Sequence, residues 1–411
     1  MTSSISVREV RAALLTRREI ALFDVRTEAA FATGHPLFAA QLPLDRIELE
    51  APVRVPRLGT LVVLYGDGVD AEQAQDSFRK LGYSQAVVLQ GGLAAWRSAG
   101  FELFQDVNSY SKAFGELVEA RRHTPSLSAE EVHALIEDHA DIAIVDARRF
   151  DEYQTMSIPT GTSVPGAELV LRVPSVAPNA NTTVIVNCAG RTRSIIGSQS
   201  LINAGLPNRV VALRNGTIGW KLAGQALDSG QQRSAQEISP EHVREAGRRA
   251  RDVAYRAGVR HVSTSELAAL GKDGDRTLYR FDVRTPEEYL AGHLPGFRSA
   301  PGGQLVQETD FFAPVRGARI VLSDALGARA DMTASWLAQM AWEVYVLEGA
   351  PEGRVTTTDA EALPARSAAG RYKRPYEGTD SPPSATLAYL EWEYGLVDQL
   401  GRDDTHGFFV I

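Results

Sequence analysis

Short apolar runs rich in β-branched residues punctuate the chain: Leu61 to Leu64, Ala86 to Leu89, Ile142 to Val145, Val184 to Val186, Val210 to Leu213, Ile320 to Leu322 and Val344 to Leu347. Each is continuous rather than alternating, which is the pattern of a strand buried on both faces. Between them lie stretches with helical spacing, among them Ala71 to Leu81, Ser194 to Ala204 and Asp331 to Met340. Alternation of such strands and helices predicts an α/β fold with doubly wound parallel sheets. Ligands of such sheets bind beyond the carboxyl ends of the strands.

The pattern repeats. Phe23-Asp24-Val25-Arg26, Ile144-Val145-Asp146-Ala147-Arg148 and Phe281-Asp282-Val283-Arg284 are three versions of one strand end, with aspartates 122 and 136 residues apart. A second strand recurs at the same offsets: Leu61 to Tyr65, Val184 to Asn187 and Ile320 to Ser323. Agreement of two independent anchors predicts three tandem copies. Gly91-Gly92-Leu93-Ala94-Ala95-Trp96 matches Asn215-Gly216-Thr217-Ile218-Gly219-Trp220, and more weakly Glu348-Gly349-Ala350. The copies are placed at residues 1–104, 126–228 and 259–353, with a C-terminal extension over 354–411.

Only the middle copy has a nucleophile after that second strand. The sole cysteine, Cys188, follows Val184-Ile185-Val186-Asn187 and precedes Ala189-Gly190-Arg191-Thr192-Arg193-Ser194 and a helical stretch. A thiol there sits at a strand end and a helix N-terminus, where backbone N–H groups and the helix dipole favour an anion. Both effects, with Arg191 and Arg193, are expected to favour the thiolate. Such a loop suits a nucleophile whose product, a persulfide or phosphocysteine, is also anionic. The same offsets place Gly66 in the first copy and Asp324 in the third. The first loop, Gly66 to Ala71, has neither thiol nor arginine, and the third ends on Arg329. A carboxylate aimed into an anion cradle repels or replaces the donor. Both outer copies are therefore expected to be catalytically silent.

The segment Cys188 to Arg193 resembles the six-residue active-site loop of rhodanese-type sulfurtransferases. The resemblance extends to Asp146-Ala147-Arg148, Glu152-Tyr153, Ile158-Pro159 and the closing Asn215-Gly216 and Gly219-Trp220. Thr160-Gly161 departs from the usual Gly-Ala of that turn. The resemblance implies three tandem rhodanese-like domains and transfer of a sulfane sulfur through a Cys188 persulfide. Thiosulfate, 3-mercaptopyruvate and glutathione persulfide all fit an anion cradle as donor. Cyanide, a small thiol or a protein is the implied acceptor. Ala189, Gly190, Arg191, Thr192, Arg193 and Ser194 are expected to bind the donor, and their N–H groups to hold the terminal sulfur's charge. Asp146 and Arg148 are expected to support the loop, Arg148 through Asp151 or Glu152, with Arg193 an even candidate to pair with Asp146. Arg172 reads as a surface residue, and His133 and His139 as helix-surface residues. The cysteine phosphatases that share this fold place five residues between cysteine and arginine; here there are four, too tight for phosphate. The other alternative is a persulfide-relay or redox-sensing scaffold acting on a protein partner.

Composition adds limits. A net charge of −8 argues against bulk attraction to nucleic acid. No apolar run reaches membrane-spanning length and the N-terminus lacks a signal pattern. One cysteine excludes an intramolecular disulfide framework, and a reducing cytoplasmic setting fits a reactive thiol. Scattered histidines show no metal-ligand spacing, and no cofactor is expected. Gln105 to Ser126 reads as a polar, helix-leaning linker, and Pro240 to Tyr255 as a solvated connecting helix. Ala365 to Pro383 reads as extended. The amphipathic Leu387 to Leu396 and the aromatic end, Thr405 to Ile411, either pack on the body or reach the middle copy's site or a second subunit.

Overall fold

The computed structural model describes residues 3–235, 238–349, 357, 369–378 and 380–411. The expected 353/354 boundary, Ala350, and residues 365–368 and 379 of the extended segment lie outside the described residues.

Three α/β units carry the apolar runs as strands. The middle sheet is wholly parallel, in the order Ser126–Leu127, Val210–Leu213, Thr183–Asn187, Ile142–Asp146, Thr162–Ser163. The third repeats that order with Arg260–Val262, Glu343–Leu347, Arg319–Ser323, Leu278–Asp282 and Arg298–Ser299. The first uses Ser4–Ile5, Ala86–Leu89, Leu61–Tyr65 and Ile20–Asp24 likewise, with Ala40–Gln41 beside the last. Register is shared as well as order: Asp24 pairs with Tyr65, Asp146 with Asn187 and Asp282 with Ser323. The central strands are almost wholly buried, as continuous apolar runs require.

The units are not separate beads. Val315–Arg316 of the third unit adds an antiparallel strand to the first unit's sheet, against Ile20 and Ala21. The supposed linker is a central helix, Ser109–Arg122, with ten successive residues buried from Ser109 to Val118. Its Gly115 lies so close to the helix after Cys188 that a Cβ there would fall 2.8 Å from Thr192 Cγ2. The expected solvated helix, Pro240–Arg256, buries Ala246, Ala250, Val253 and Ala254 on one face. His133 is half-buried beside Trp220, and His139 lies in the turn after its helix rather than on it.

The extension packs back on the body, among other places at its aromatic end and over the active loop. Phe408 packs edge-on against Tyr110 and Phe114 of the central helix, and the N–H of Phe409 bonds the Gln339 carbonyl. The helix Pro383–Tyr394 lies over the loop that follows Cys188, with Tyr376, Tyr389 and Leu390 clustered on Ala189 and Ile218. No described helix is long and apolar enough to cross a membrane.

Candidate active site

Cys188 stands where the strand Thr183–Asn187 ends, four residues before the helix Thr192–Asn203 begins. Two neighbouring strands fix its entry. The Asp146 carboxylate accepts from Asn187 Nδ2 at 2.8 Å, and Ala147 N–H donates to the Asn187 carbonyl. On the far side, the Asn215-Gly216 turn supports the loop. Thr217 N–H donates to the Cys188 carbonyl at 2.9 Å and Ile218 N–H to that of Ala189 at 3.1 Å. Gly216 has φ of +52°, and a Cβ there would fall 2.2 Å from the Cys188 carbonyl oxygen, so only glycine fits.

The thiol is 1% exposed. It lies 3.4 Å from Ser194 Oγ, which donates to the Arg191 carbonyl at 2.8 Å. Burial pushes the thiol upward from its ordinary range, while Arg193 and Ser194 pull it down. This runs against the expectation that the loop favours the thiolate, because desolvation of the buried sulfur opposes its charged form.

The two loop arginines differ in what they do. Arg193 forms a two-pronged pair with Glu152, at 2.7 and 2.9 Å, and its charge reaches the Cys188 sulfur. Burial raises the Glu152 carboxyl, but Arg193 overrides it and holds it at about 2. Arg193 therefore does not pair with Asp146. Arg191 is buried against the central helix. It bonds Glu116 at 2.8 Å through Nε and Nη2, also bonds Glu119 and Asn215, and is covered by the Tyr394 ring at 4.2 Å. The expected attraction of a donor by Arg191 thus meets a guanidinium already neutralised by two carboxylates.

Asp146 and Arg148 pair with each other. Arg148 donates to both Asp146 oxygens, at 2.8 and 2.7 Å, and to the Met156 carbonyl. The expected partners Asp151 and Glu152 instead bind Arg149 and Arg193. The same clasp recurs as Arg26 with Asp24 and Gly34, and as Arg284 with Asp282 and Gly292. The clasp thus accompanies the strand end in all three copies, with or without a thiol. Arg172 pairs with Glu168.

The two loops without a thiol differ in what stands at the equivalent point. In the third, Asp324 accepts from Leu326, Arg329 and Ala330 N–H groups and from the Arg329 guanidinium. The carboxylate is thus the resident anion. In the first, a side chain at Gly66 would fall 2.6 Å from Val25 Cγ2.

A family model of the rhodanese-like domain matches residues 6–99, 128–223 and 263–353. The chain belongs to the rhodanese family. A solved structure of thiosulfate sulfurtransferase from Pseudomonas aeruginosa superposes with a TM-score of 0.94 and 48% identity, over 100% of both chains. The sulfurtransferase of Allochromatium vinosum is 27% identical over 103 residues, 25% of this chain and 95% of that one. The probable adenylyltransferase/sulfurtransferase MoeZ of Mycobacterium tuberculosis is 36% identical over 95 residues, 23% of this chain. That match spans about a quarter (24%) of the MoeZ length. This rhodanese is an enzyme of the sulfurtransferase type.

The sequence reading missed Glu116, Glu119 and the roof formed by Tyr376, Tyr389 and Glu393. A signal was present: Tyr110, Phe114, Leu117 and Val118 give the supposed linker an apolar face at helical spacing.

Proposed function

We propose that the enzyme moves a sulfane sulfur from thiosulfate, or a related small anionic donor, to a thiophilic acceptor through Cys188. The Cys188 thiolate attacks the outer sulfur of thiosulfate. The S–S bond of the donor breaks, sulfite leaves with its electron pair, and a Cys188 persulfide remains. Cyanide or a small thiol then takes the outer sulfur and returns the thiolate. The N–H groups of Ala189 through Ser194 hold the charge on the terminal sulfur, and Arg193 supplies the positive field. Thr192 opens the helix behind the loop, and Gly190 lies under Tyr389 and Glu393 of the extension.

One observation carries this reading: a lone thiol at a strand end and helix N-terminus with the Arg193–Glu152 pair beside it, while both sister loops hold none. The full-length likeness to the Pseudomonas aeruginosa protein supports thiosulfate as donor. The burial of Cys188, with the extension packed on the neighbouring Ala189, favours a small acceptor over a protein partner, the converse of the scaffold reading. A reducing, cytoplasmic setting suits the free thiol.

The test is intact-protein mass after incubation with thiosulfate, followed by thiocyanate release on adding cyanide. Gain of one sulfur by the wild type and none by Cys188→Ser is expected. No gain by pre-reduced wild type overturns the thiosulfate reading. Because burial raises the thiol, the maximal loading rate is expected to climb with pH from neutral to alkaline.

A further inference from the structure

The extension brings one acid to the loop. Glu393, on the helix Pro383–Tyr394, is 1% exposed. Its Oε1 accepts the Tyr389 hydroxyl at 2.6 Å. Its Oε2 is buried and has no hydrogen-bond partner among the described residues. That oxygen is aimed at the active loop: a Cβ built on Gly190 would lie 3.5 Å from it. A buried carboxyl oxygen without a partner is costly, and the cost falls if a ligand completes the bond.

The cations nearby are engaged elsewhere. Lys112 of the central helix bonds Asp106 at 2.9 Å, with its ammonium about 5 Å (5.1, 4.9 and 5.4 Å) from the rings of Tyr376, Tyr389 and Trp392. Arg191 is held by Glu116 and Glu119. A charged Glu393 would oppose an incoming anion, whereas a protonated one offers an O–H donor.

We propose that Glu393 is a second donor-recognition residue, whose protonated Oε2 donates to the sulfonate end of the anionic sulfur donor in the Cys188 loop. The inference rests on the donor reading above and extends it to the extension. Burial pushes Glu393 up to about 7, with Glu116 adding to the rise and Lys112, Tyr389 and Arg191 opposing it. Donor binding is therefore strong below neutrality and weakens as the carboxyl ionises. No covalent change at Glu393 is involved; the proton stays on Oε2 while the donor is bound.

The test uses the full chain. Sulfur loading of Cys188 is followed by intact mass over a range of thiosulfate concentrations from pH 6 to 8.5. In the wild type the half-saturating concentration is expected to rise towards tenfold per pH unit above about 7. In Glu393→Gln, which carries a permanent N–H donor and no ionisation, that rise is expected to vanish to within about twofold. Tyr389→Phe removes a bond that favours the carboxylate, so its inflection is expected to move to higher pH. The readout is the half-saturation profile, which is separate from the maximal rate set by the thiol. A Glu393→Gln profile that rises like the wild type overturns the assignment, as does an unmoved inflection in Tyr389→Phe. Absence of loading in the wild type at every pH overturns the donor reading itself, and the inference with it.

Discussion

Cys188 and Asp324 stand at the same point of two loops built from the same parts. Each follows the strand that pairs in register with an Asp-x-Arg strand end, and each precedes a helix of 12 residues. Each loop closes on an arginine bound by the glutamate of the preceding helix start: Arg193 by Glu152, Arg329 by Glu288. The difference is what fills the cradle. In the third copy a carboxylate of the chain takes the N–H groups, and Arg329 meets Glu168 of the middle unit as well, at 2.9 Å. In the middle copy a thiol stands at that point, beside Ser194, and Arg193 pairs with Glu152. An anion site becomes structural when the fold supplies its own anion and remains available for chemistry when it does not.

The severest way to break this comparison is to exchange the two residues. Cys188→Ser combined with Asp324→Cys is expected to show no sulfur gain by intact mass and a loss of turnover beyond about a thousandfold. The reason is that three carboxylates surround Arg329 in the wild type and two remain after the exchange. Sulfur gained by that double variant would show that a thiol alone separates the loops. Next comes Asp324→Ala, which strips one partner from a wholly buried ion pair. Its expected cost is about 3–5 kcal/mol in urea unfolding, with sulfur loading at Cys188 retained.

Gly216→Ala is smaller and falls on the active loop. The φ of +52° and the contact with the Cys188 carbonyl predict a loss of about 1–3 kcal/mol in thermal unfolding, accompanied by slower loading. The mildest is Glu152→Gln. The Glu152 carboxyl is lowered in the fold from its usual 4.5 to about 2. Its contribution is present above pH 4.5 and is lost as pH falls towards 2. The glutamine variant is expected to be less stable at neutral pH and to show a shallower loss of stability in acid, read by unfolding at pH 7, 4 and 2.5.

Much of the fold was legible because parallel strands buried on both faces must be apolar throughout. Ala86–Leu89 and Val210–Leu213 have the bounds their sequence predicts, and other strands extend the apolar run by one residue at one or both ends. The lack of a thiol in the outer loops was legible too, since it turns on residue identity at a fixed offset. Side-chain pairing was not. Arg148 has Asp146, Asp151 and Glu152 all within a few residues, and spacing alone cannot choose among them; the strand end holds Asp146 in place, and the helix start points Glu152 at Arg193.

What the amino-acid order determined by itself was local and repetitive: three copies of a strand–helix pattern, one thiol, and two equivalent loops without one. Hydrophobic period and residue identity act over a few residues, and these features need no more. Tertiary structure decided which charges the thiol meets. Glu116 lies 75 residues in sequence from Arg191, and Glu393 approaches Gly190 from the far end of the chain. Those contacts follow from packing the central helix and the extension on the loop. The energy of a buried charge depends on all that surrounds it, so only the assembled fold fixes it.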